Sequence, residues 1–363
     1  MTNWLVALVL MGSLFAPVLA QNTPPPATTT QDLSLKSIKI GIQFYEAKRY
    51  QTALPFFERA VKENPNSYDA YYWLGRTQIK LGIIGPAIEN LKRATALSSK
   101  FTPAYVALAQ AYAAQFAMSE NRESVTTKGL LEQALLVLKD AEKVNSKYAP
   151  IYAQRGLIYF LQGSFDKAVE SLNKAISLDN DPGYKATLAE IYLKQGKIDE
   201  AADLYADAVK SAPKDPELRT KYGTVLLIKG DCGAAAEQLN QVVFLTGGDA
   251  ETYFFLGKAQ FCLKNWKQAG VAYSNTVALS PVRYPDAYAD LGRIYLELGD
   301  PAKAKFNLTK AVALAPNNAD FHYWLGRANE AAGDKEGAKA QYQKALELRP
   351  NFPEAQEALA RVK

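Results

Sequence analysis

Residue types on which metal and catalytic sites often depend are scarce in this chain of 363 residues, which has one histidine and two cysteines. A zinc site needs several ligands at short, regular spacings, and His322, Cys232 and Cys262 do not supply them. The glycines do not form a phosphate-binding loop either. The sequence therefore predicts no bound metal or cofactor, and it favours a protein that is not an enzyme.

Charge of one sign is not concentrated anywhere in the sequence. The formal net charge is +5, and no block of like charges interrupts the chain. Proteins that bind nucleic acids usually carry a stronger basic excess or a basic stripe. The sequence thus gives only weak support for a nucleic-acid partner, and none is predicted.

The first 20 residues contain no charged side chain, and residues 4–20 are apolar or small throughout. Residues 18–20 have the small-residue pattern of a cleavage site, so we predict a secretory signal peptide at 1–20. The run of roughly 17 apolar residues is at the short limit for crossing a bilayer, so an uncleaved membrane anchor is the alternative. A lipoprotein anchor is excluded because no cysteine lies near residue 20. Residues 21–33, rich in proline and threonine, predict a flexible linker.

A repeated unit of 34 residues is clearest at residues 285–318. Its first half places Tyr288, Leu291 and Tyr295 on one face of a helix, and its second half repeats this apolar spacing. Between the halves, Gly299 suits the left-handed residue past a helix end, and the aspartate that follows suits the cap of the next helix. The unit is therefore a hairpin of two helices.

A hairpin this short cannot bury its apolar face alone, so it needs neighbours, and the sequence supplies them. Nine such units follow one another and predict an all-α fold over residues 34–363. The predicted repeats lie near residues 34–67, 68–101, 102–148, 149–181, 182–215, 216–249, 250–284, 285–318 and 319–352, with a capping helix at 353–363.

Several residue types recur at fixed positions of the unit along the chain. These are small residues at positions 8 and 20, large ones at 4, 7, 11 and 24, alanine at 27 and proline at 32. This pattern resembles the tetratricopeptide repeat. The resemblance implies a right-handed α–α superhelix, an α-solenoid, that does not catalyse a reaction. It also implies a concave groove lined by the first helix of each hairpin, which would hold peptides or helices of partner proteins.

In the tetratricopeptide repeat, positions 2, 5, 9, 12 and 13 face the groove. Cations and aromatic rings occupy several of these positions in the last repeats. The predicted groove residues are Tyr72, Arg76, Phe254, Lys258, Phe261, Arg293, Tyr323 and Arg327. One hypothesis is an acidic or carboxylate-bearing peptide held by the cations, with the rings supplying apolar area. The alternative is a solvated helix face that happens to be basic. The family's best-known clamp has lysine at position 5 and asparagine at position 9, a pair that this chain lacks.

The repeat frame also places the histidine and the cysteines. His322 occupies the fourth position of its repeat, a core position, so we predict a packed structural histidine. Cys232 begins the second helix of the sixth repeat, and Cys262 ends the first helix of the seventh. These helices pack antiparallel in such an array, so we predict a disulfide worth about 3–4 kcal/mol. Two buried free thiols are the alternative.

The third repeat exceeds the period by about 13 residues, an excess centred on residues 119–128. We predict an insertion at about residues 115–128, and its polar composition indicates a solvent-exposed segment. It is either a longer hairpin turn or a loop with a partner of its own.

Taken together, these features predict an exported bacterial scaffold of the cell envelope, periplasmic or secreted, that binds other proteins or peptides. It would contact a membrane only through its partners or through an uncleaved signal. Two alternatives are a recruiting or regulatory subunit of an envelope enzyme complex and a chaperone for exported proteins. Weak binding to an anionic surface is a third, which strong salt sensitivity would indicate.

Overall fold

A computed structural model of the chain describes residues 30–362, and these residues form helices and short connections with no β-strand. The predicted signal peptide and the linker up to residue 29 lie outside the described residues. In chain order the helices are α1 (Thr30–Glu46), α2 (Tyr50–Glu63), α3 (Tyr68–Lys80), α4 (Ile84–Leu97), α5 (Thr102–Met118), α6 (Val125–Val144), α7 (Ala149–Leu161), α8 (Phe165–Leu178), α9 (Pro182–Lys194), α10 (Ile198–Ser211), α11 (Pro216–Lys229), α12 (Cys232–Thr246), α13 (Ala250–Cys262), α14 (Trp266–Leu279), α15 (Pro285–Glu297), α16 (Pro301–Leu314), α17 (Ala319–Ala331), α18 (Lys335–Leu348) and α19 (Pro353–Arg361). Within 30–362, no helix combines the length and the apolar composition that crossing a bilayer requires.

The chain divides into two compact units, whose described parts are residues 30–195 and 196–362. We call them the amino-terminal unit and the carboxy-terminal unit. In the amino-terminal unit, hairpins form from α1 and α2, α3 and α4, α5 and α6, and α7 and α8. In the carboxy-terminal unit, they form from α11 and α12, α13 and α14, α15 and α16, and α17 and α18. Successive hairpins pack on one another within each unit, so apolar side chains are buried between neighbours as well as within hairpins.

Close approach of the two helices of a hairpin depends on glycine at position 8. A Cβ atom at Gly292 would collide with Leu308 on the partner helix, and one at Gly156 would lie 2.8 Å from Leu172 Cγ. Gly299 has a φ of 73°, which favours glycine, and the side chain of Asp300 caps α16 by accepting from Lys303 N at 3.0 Å. The turn therefore forms as its residues predict.

The first helix begins earlier than the sequence indicates. We expected the linker to continue to residue 33, but α1 starts at Thr30. Ser34 is buried, and its Oγ donates to Ala60 O on α2 at 2.9 Å. This anchor holds the start of α1 against α2, so the last residues of the predicted linker are helical.

The insertion in the third repeat is mostly helix rather than loop. The helices α5 and α6 contain 17 and 20 residues, compared with 13 and 14 in the next hairpin. Only residues 119–124 connect α5 to α6, so the exposed segment predicted at 115–128 is shorter than expected. Ser124 caps α6 by accepting from Thr127 N at 3.1 Å, and Arg122 donates to Ala117 O at 2.6 Å near the end of α5. These contacts hold both ends of the short connection.

Candidate functional site

The candidate site lies on α13, α15 and α17, the first helices of three successive hairpins in the carboxy-terminal unit. Arg293 on α15 stands between two aromatic rings. Its Cζ is 4.5 Å from the ring centroid of Phe261 on α13 and 4.8 Å from that of Trp324 on α17. A guanidinium over an aromatic face is attracted by about 0.5–2 kcal/mol per ring. The stack therefore joins three hairpins through one side chain.

Further cations and rings extend this stack in both directions. The Nζ of Lys258 is 4.9 Å from the ring centroid of Phe254 on the same helix. The Cζ of Arg327 is 5.7 Å from the ring of Trp324, and its Nη1 donates to the hydroxyl of Tyr323 at 3.2 Å. We call the set of Lys258, Phe261, Arg293, Tyr323, Trp324 and Arg327 the cation–aromatic ladder. Phe254 was also predicted to line the groove, but it is only 9% exposed and belongs to the core beneath Lys258.

One buried carboxylate lies against the ladder. Asp290 on α15 accepts a hydrogen bond from Arg293 Nη1 at 2.9 Å and another from the Tyr273 hydroxyl of α14 at 2.8 Å. Burial raises the pKa of Asp290, while the hydrogen bond from Tyr273 and the charges of Arg293 and Lys258 oppose that rise. The pKa of the Tyr273 phenol is also raised, first by burial and then by the Asp290 carboxylate to which it donates.

The charge of this surface is therefore less simple than the sequence suggests. The prediction counted Lys258, Arg293 and Arg327 as three basic groups in a row, but Asp290 compensates Arg293. Lys258 is exposed and forms no salt bridge with any residue in 30–362. The side chain of Arg293 remains 35% exposed despite its contacts, so a ligand can still reach it.

The two predicted groove residues of the amino-terminal unit are buried. Tyr72 is 8% exposed and Arg76 is 6% exposed. The Cζ of Arg76 lies 5.0 Å from the ring centroid of Tyr45, 5.3 Å from that of Tyr72 and 4.9 Å from that of Trp73. Its Nη1 donates to the Tyr72 hydroxyl at 3.1 Å. Since little of either side chain can touch a ligand, these residues belong to the core and not to the candidate site.

Cys232 and Cys262 form a disulfide in the structure, with their Cα atoms 6.2 Å apart. It joins the start of α12 to the end of α13, and Cys262 directly follows Phe261 of the ladder. The disulfide therefore fixes the end of a helix that carries part of the site.

His322 is buried, as its core position predicts. Its Nδ1 lies 2.7 Å from Gln341 Oε1, and its Nε2 lies 2.9 Å from Pro316 O. Both ring nitrogens thus have partners within the fold, which fits a structural histidine.

Sequence reasoning missed Trp324 and Asp290, which both occupy position 6 of their repeats. Position 6 lies one helical turn before position 9, so its side chain is on the same face as the cation there. In the stack, positions 12, 9 and 6 of three successive repeats come together, at Phe261, Arg293 and Trp324. An aromatic residue at position 12 followed by arginine at position 9 of the next repeat is the signal that could have found this arrangement. It recurs at Tyr45 and Arg76.

Comparison with known proteins identifies the repeat. A family model described as tetratricopeptide repeat matches residues 44–83, 159–225 and 295–362, and a second model with that description matches 68–101. Together these matches cover more than half of the chain.

Several known proteins are similar over part of their length. The BBSome complex member BBS4 of Bos taurus is 26% identical over 198 residues, which are 54% of this chain and 38% of that protein. The TPR repeat-containing protein YpiA of Bacillus subtilis is 24% identical over 46% of this chain and 37% of its own. The chain thus spans less than two fifths of the length of these two relatives.

A solved structure shares the fold more directly. The thermophilic TPR protein TTC0263 of Thermus thermophilus is 48% identical, with a TM-score of 0.52, and the match covers 53% of this chain and 99% of that one. Tetratricopeptide repeat proteins are generally non-enzymatic scaffolds that bind other proteins or peptides. On the repeat matches, the hairpin packing and this structural likeness, the chain belongs to the tetratricopeptide repeat family.

Proposed function

We propose that this protein is a non-enzymatic interaction scaffold that holds an acidic segment of a partner protein on the cation–aromatic ladder. The observation that carries the proposal is the position of Arg293 between Phe261 and Trp324, on three successive first helices. A binding surface for an extended or helical segment must run across several repeats, and this stack does so.

The chemistry of the ladder suits carboxylates flanked by apolar side chains. When aromatic rings cover the faces of a guanidinium, its N–H groups point outward in the guanidinium plane, where an exposed N–H can bond a carboxylate. The rings supply apolar contact area beside the charges. Because Arg293 is already held by two rings, it loses less conformational entropy when a ligand binds.

A solvated basic face, the alternative interpretation, does not account for this packing. Cations on such a face extend into water and have no need of rings from neighbouring helices. Arg293 instead contacts one ring from each neighbouring hairpin, while Lys258 and Arg327 remain accessible beside it. This combination of fixed and accessible cations favours a binding surface.

We also infer that the protein is exported and acts in the cell envelope. Two features support this location. Residues 1–20 have the pattern of a secretory signal, and the only two cysteines are paired, as is common in oxidising compartments. Fractionation of cells that produce a carboxy-terminally tagged chain tests the inference. We expect the mature protein in the envelope or medium, starting near residue 21, whereas a cytoplasmic protein that retains residue 1 would contradict it.

The binding proposal is tested with a fluorescein-labelled ten-residue peptide of glutamate, phenylalanine and leucine, and with its counterpart in which lysine replaces glutamate. Fluorescence anisotropy should show binding of the acidic peptide and little binding of the basic one. We expect Arg327→Glu to weaken the affinity for the acidic peptide about tenfold. The double variant, Arg293→Glu with Arg327→Glu, should weaken it about a hundredfold, since each charged hydrogen bond contributes roughly 1.5–3 kcal/mol.

A matched control separates the ladder from general electrostatics. Lys267 on α14 and Lys310 on α16 are exposed residues of the second helices in the same unit. Lys267→Glu with Lys310→Glu changes the net charge as much as the ladder double variant does, and it should leave the affinity within about twofold. Circular dichroism confirms folding of each variant. Equal losses in the ladder and control variants would contradict the proposal.

A further inference from the structure

We propose that Asp290 controls the affinity of the ladder for anions, because its carboxylate is hydrogen-bonded to Arg293 in the free protein and competes with the anionic groups of a ligand. This inference rests on the proposed function, in that it concerns the same surface. It adds that the affinity of this surface for anionic segments responds to acid.

The contacts of Asp290 place it in direct competition with a ligand. It accepts from Arg293 Nη1 at 2.9 Å, and its side chain is only 16% exposed. The bond uses one edge of the guanidinium. Within 30–362, Arg293 Nε is buried with no hydrogen-bond acceptor, so the fork of donors is only partly satisfied. A ligand carboxylate can reach Arg293 only through the exposed 35% of its side chain and not through the buried Nε, and there it lies beside a negative charge that repels it.

The position of Arg293 does not depend on Asp290 alone. The rings of Phe261 and Trp324 lie on either side of the guanidinium, at 4.5 Å and 4.8 Å from its Cζ. Each contact is attractive in the absence of any carboxylate. We therefore expect the guanidinium to stay in the stack when Asp290 is neutral. Loss of the charge then removes repulsion from the site without removing the site.

The groups around Asp290 determine how it responds to pH. The Tyr273 hydroxyl faces it from α14, Lys258 faces it from α13, and Arg293 faces it from its own helix. Burial outweighs these favourable neighbours and raises the pKa of Asp290 above that of an ordinary aspartate. Asp290 thus becomes neutral at a higher pH than exposed aspartates do. As the pH falls, Arg293 is released to bind any anion that remains charged.

The experiment uses the full chain with Asp290→Asn, whose side-chain oxygen can still accept from Tyr273. The probe is a labelled ten-residue peptide with cysteic acid at the acidic positions, since its sulfonates stay ionised across the whole pH range. At pH 7 we expect the variant to bind this peptide about three- to tenfold more tightly than the wild type, the size of effect expected for one charge roughly 6 Å away. Glu347→Gln on α18 removes an exposed charge in the same unit and should change nothing.

The pH profile provides a readout that a purely structural role would not change. Between about pH 7 and pH 4, the wild-type affinity should rise toward that of Asp290→Asn, and the variant should show a flatter profile. If the folded variant binds no more tightly than wild type, or keeps the wild-type pH profile, the role of Asp290 is refuted. In that case, weakening by Arg327→Glu would leave the proposed function intact. If the wild type binds neither acidic peptide, both proposals fail.

Discussion

Close packing between the two helices of a hairpin predicts that an added methyl group at Gly292 destabilises the protein. Gly292 on α15 faces Leu308 on α16, which is completely buried. In Gly292→Ala, the new Cβ would collide with Leu308 Cγ and lie 2.7 Å from its Cδ1, closer than carbon atoms normally approach. Overpacking costs about 1–3 kcal/mol. Alanine's higher helix propensity offsets about 1 kcal/mol of that cost.

Both contacts are closer than carbon atoms tolerate without a shift, so the upper part of that range, about 2–3 kcal/mol, applies, and the expected net loss in the free energy of unfolding is about 1–2 kcal/mol. A second glycine provides the control. Gly129 lies inside α6, and a Cβ there would meet no atom within 4 Å. Gly129→Ala should therefore stabilise the protein by about 0.5–1 kcal/mol through helix propensity alone.

The assay is urea unfolding followed by circular dichroism, with both variants compared with the wild type. The same chemical change at two helical glycines should move the midpoint in opposite directions. If Gly292→Ala were as stable as Gly129→Ala, then α15 and α16 would not pack as closely as the structure shows. The account of position 8 as a contact point between helices would then be refuted.

Three further predictions concern side-chain contacts within the fold. Arg76→Met should lower the free energy of unfolding, measured in urea, by about 1–3 kcal/mol, because three rings surround the guanidinium. A large change in the affinity for the acidic peptide would contradict the assignment of Arg76 to the core. Reduction of the Cys232–Cys262 disulfide should lower stability by about 3–4 kcal/mol, and alkylation of the unreduced protein should label no thiol. The hydrogen bond from Arg155 lowers the pKa of Glu142 in the folded protein. The contribution of Glu142 to stability is therefore complete above the pKa that it has in the unfolded chain, and it is lost as the pH falls through its pKa in the folded protein. Glu142→Gln should therefore make unfolding less sensitive to acid in that range, and an unchanged acid response would count against the contact.

The hairpins could be predicted from the sequence because their signals are local. The apolar spacing of Tyr288 and Leu291, the glycine at 292 and the turn at Gly299 act within one repeat, and each is realised in the structure. The start of α1 and the lengths of α5 and α6 were harder to predict, because helices can extend past the repeat frame wherever side chains such as Ser34 find partners.

The candidate site could be predicted only in part, because its contacts run between repeats. The groove positions included Phe261 and Arg293, but the stacking of these side chains with Trp324 depends on how far each first helix is offset from the next. The repeat pattern does not encode that offset directly. The burial of Arg76 was missed for a related reason, since it results from three large rings that happen to surround one position. The hydrogen bond between Asp290 and Arg293 was also missed, because Asp290 occupies position 6, which is not among the groove positions of the family.

Photo-crosslinking shows where on the chain an acidic segment binds, and we expect it on the ladder of the carboxy-terminal unit. The acidic ten-residue peptide would carry benzoylphenylalanine in place of one phenylalanine, and mass spectrometry would locate the crosslinked residues on the wild-type chain. We expect adducts on α13, α15 and α17, which the unlabelled acidic peptide suppresses and the basic peptide does not. Adducts confined to the second helices α14 and α16, or to residues 30–195, would contradict this expectation.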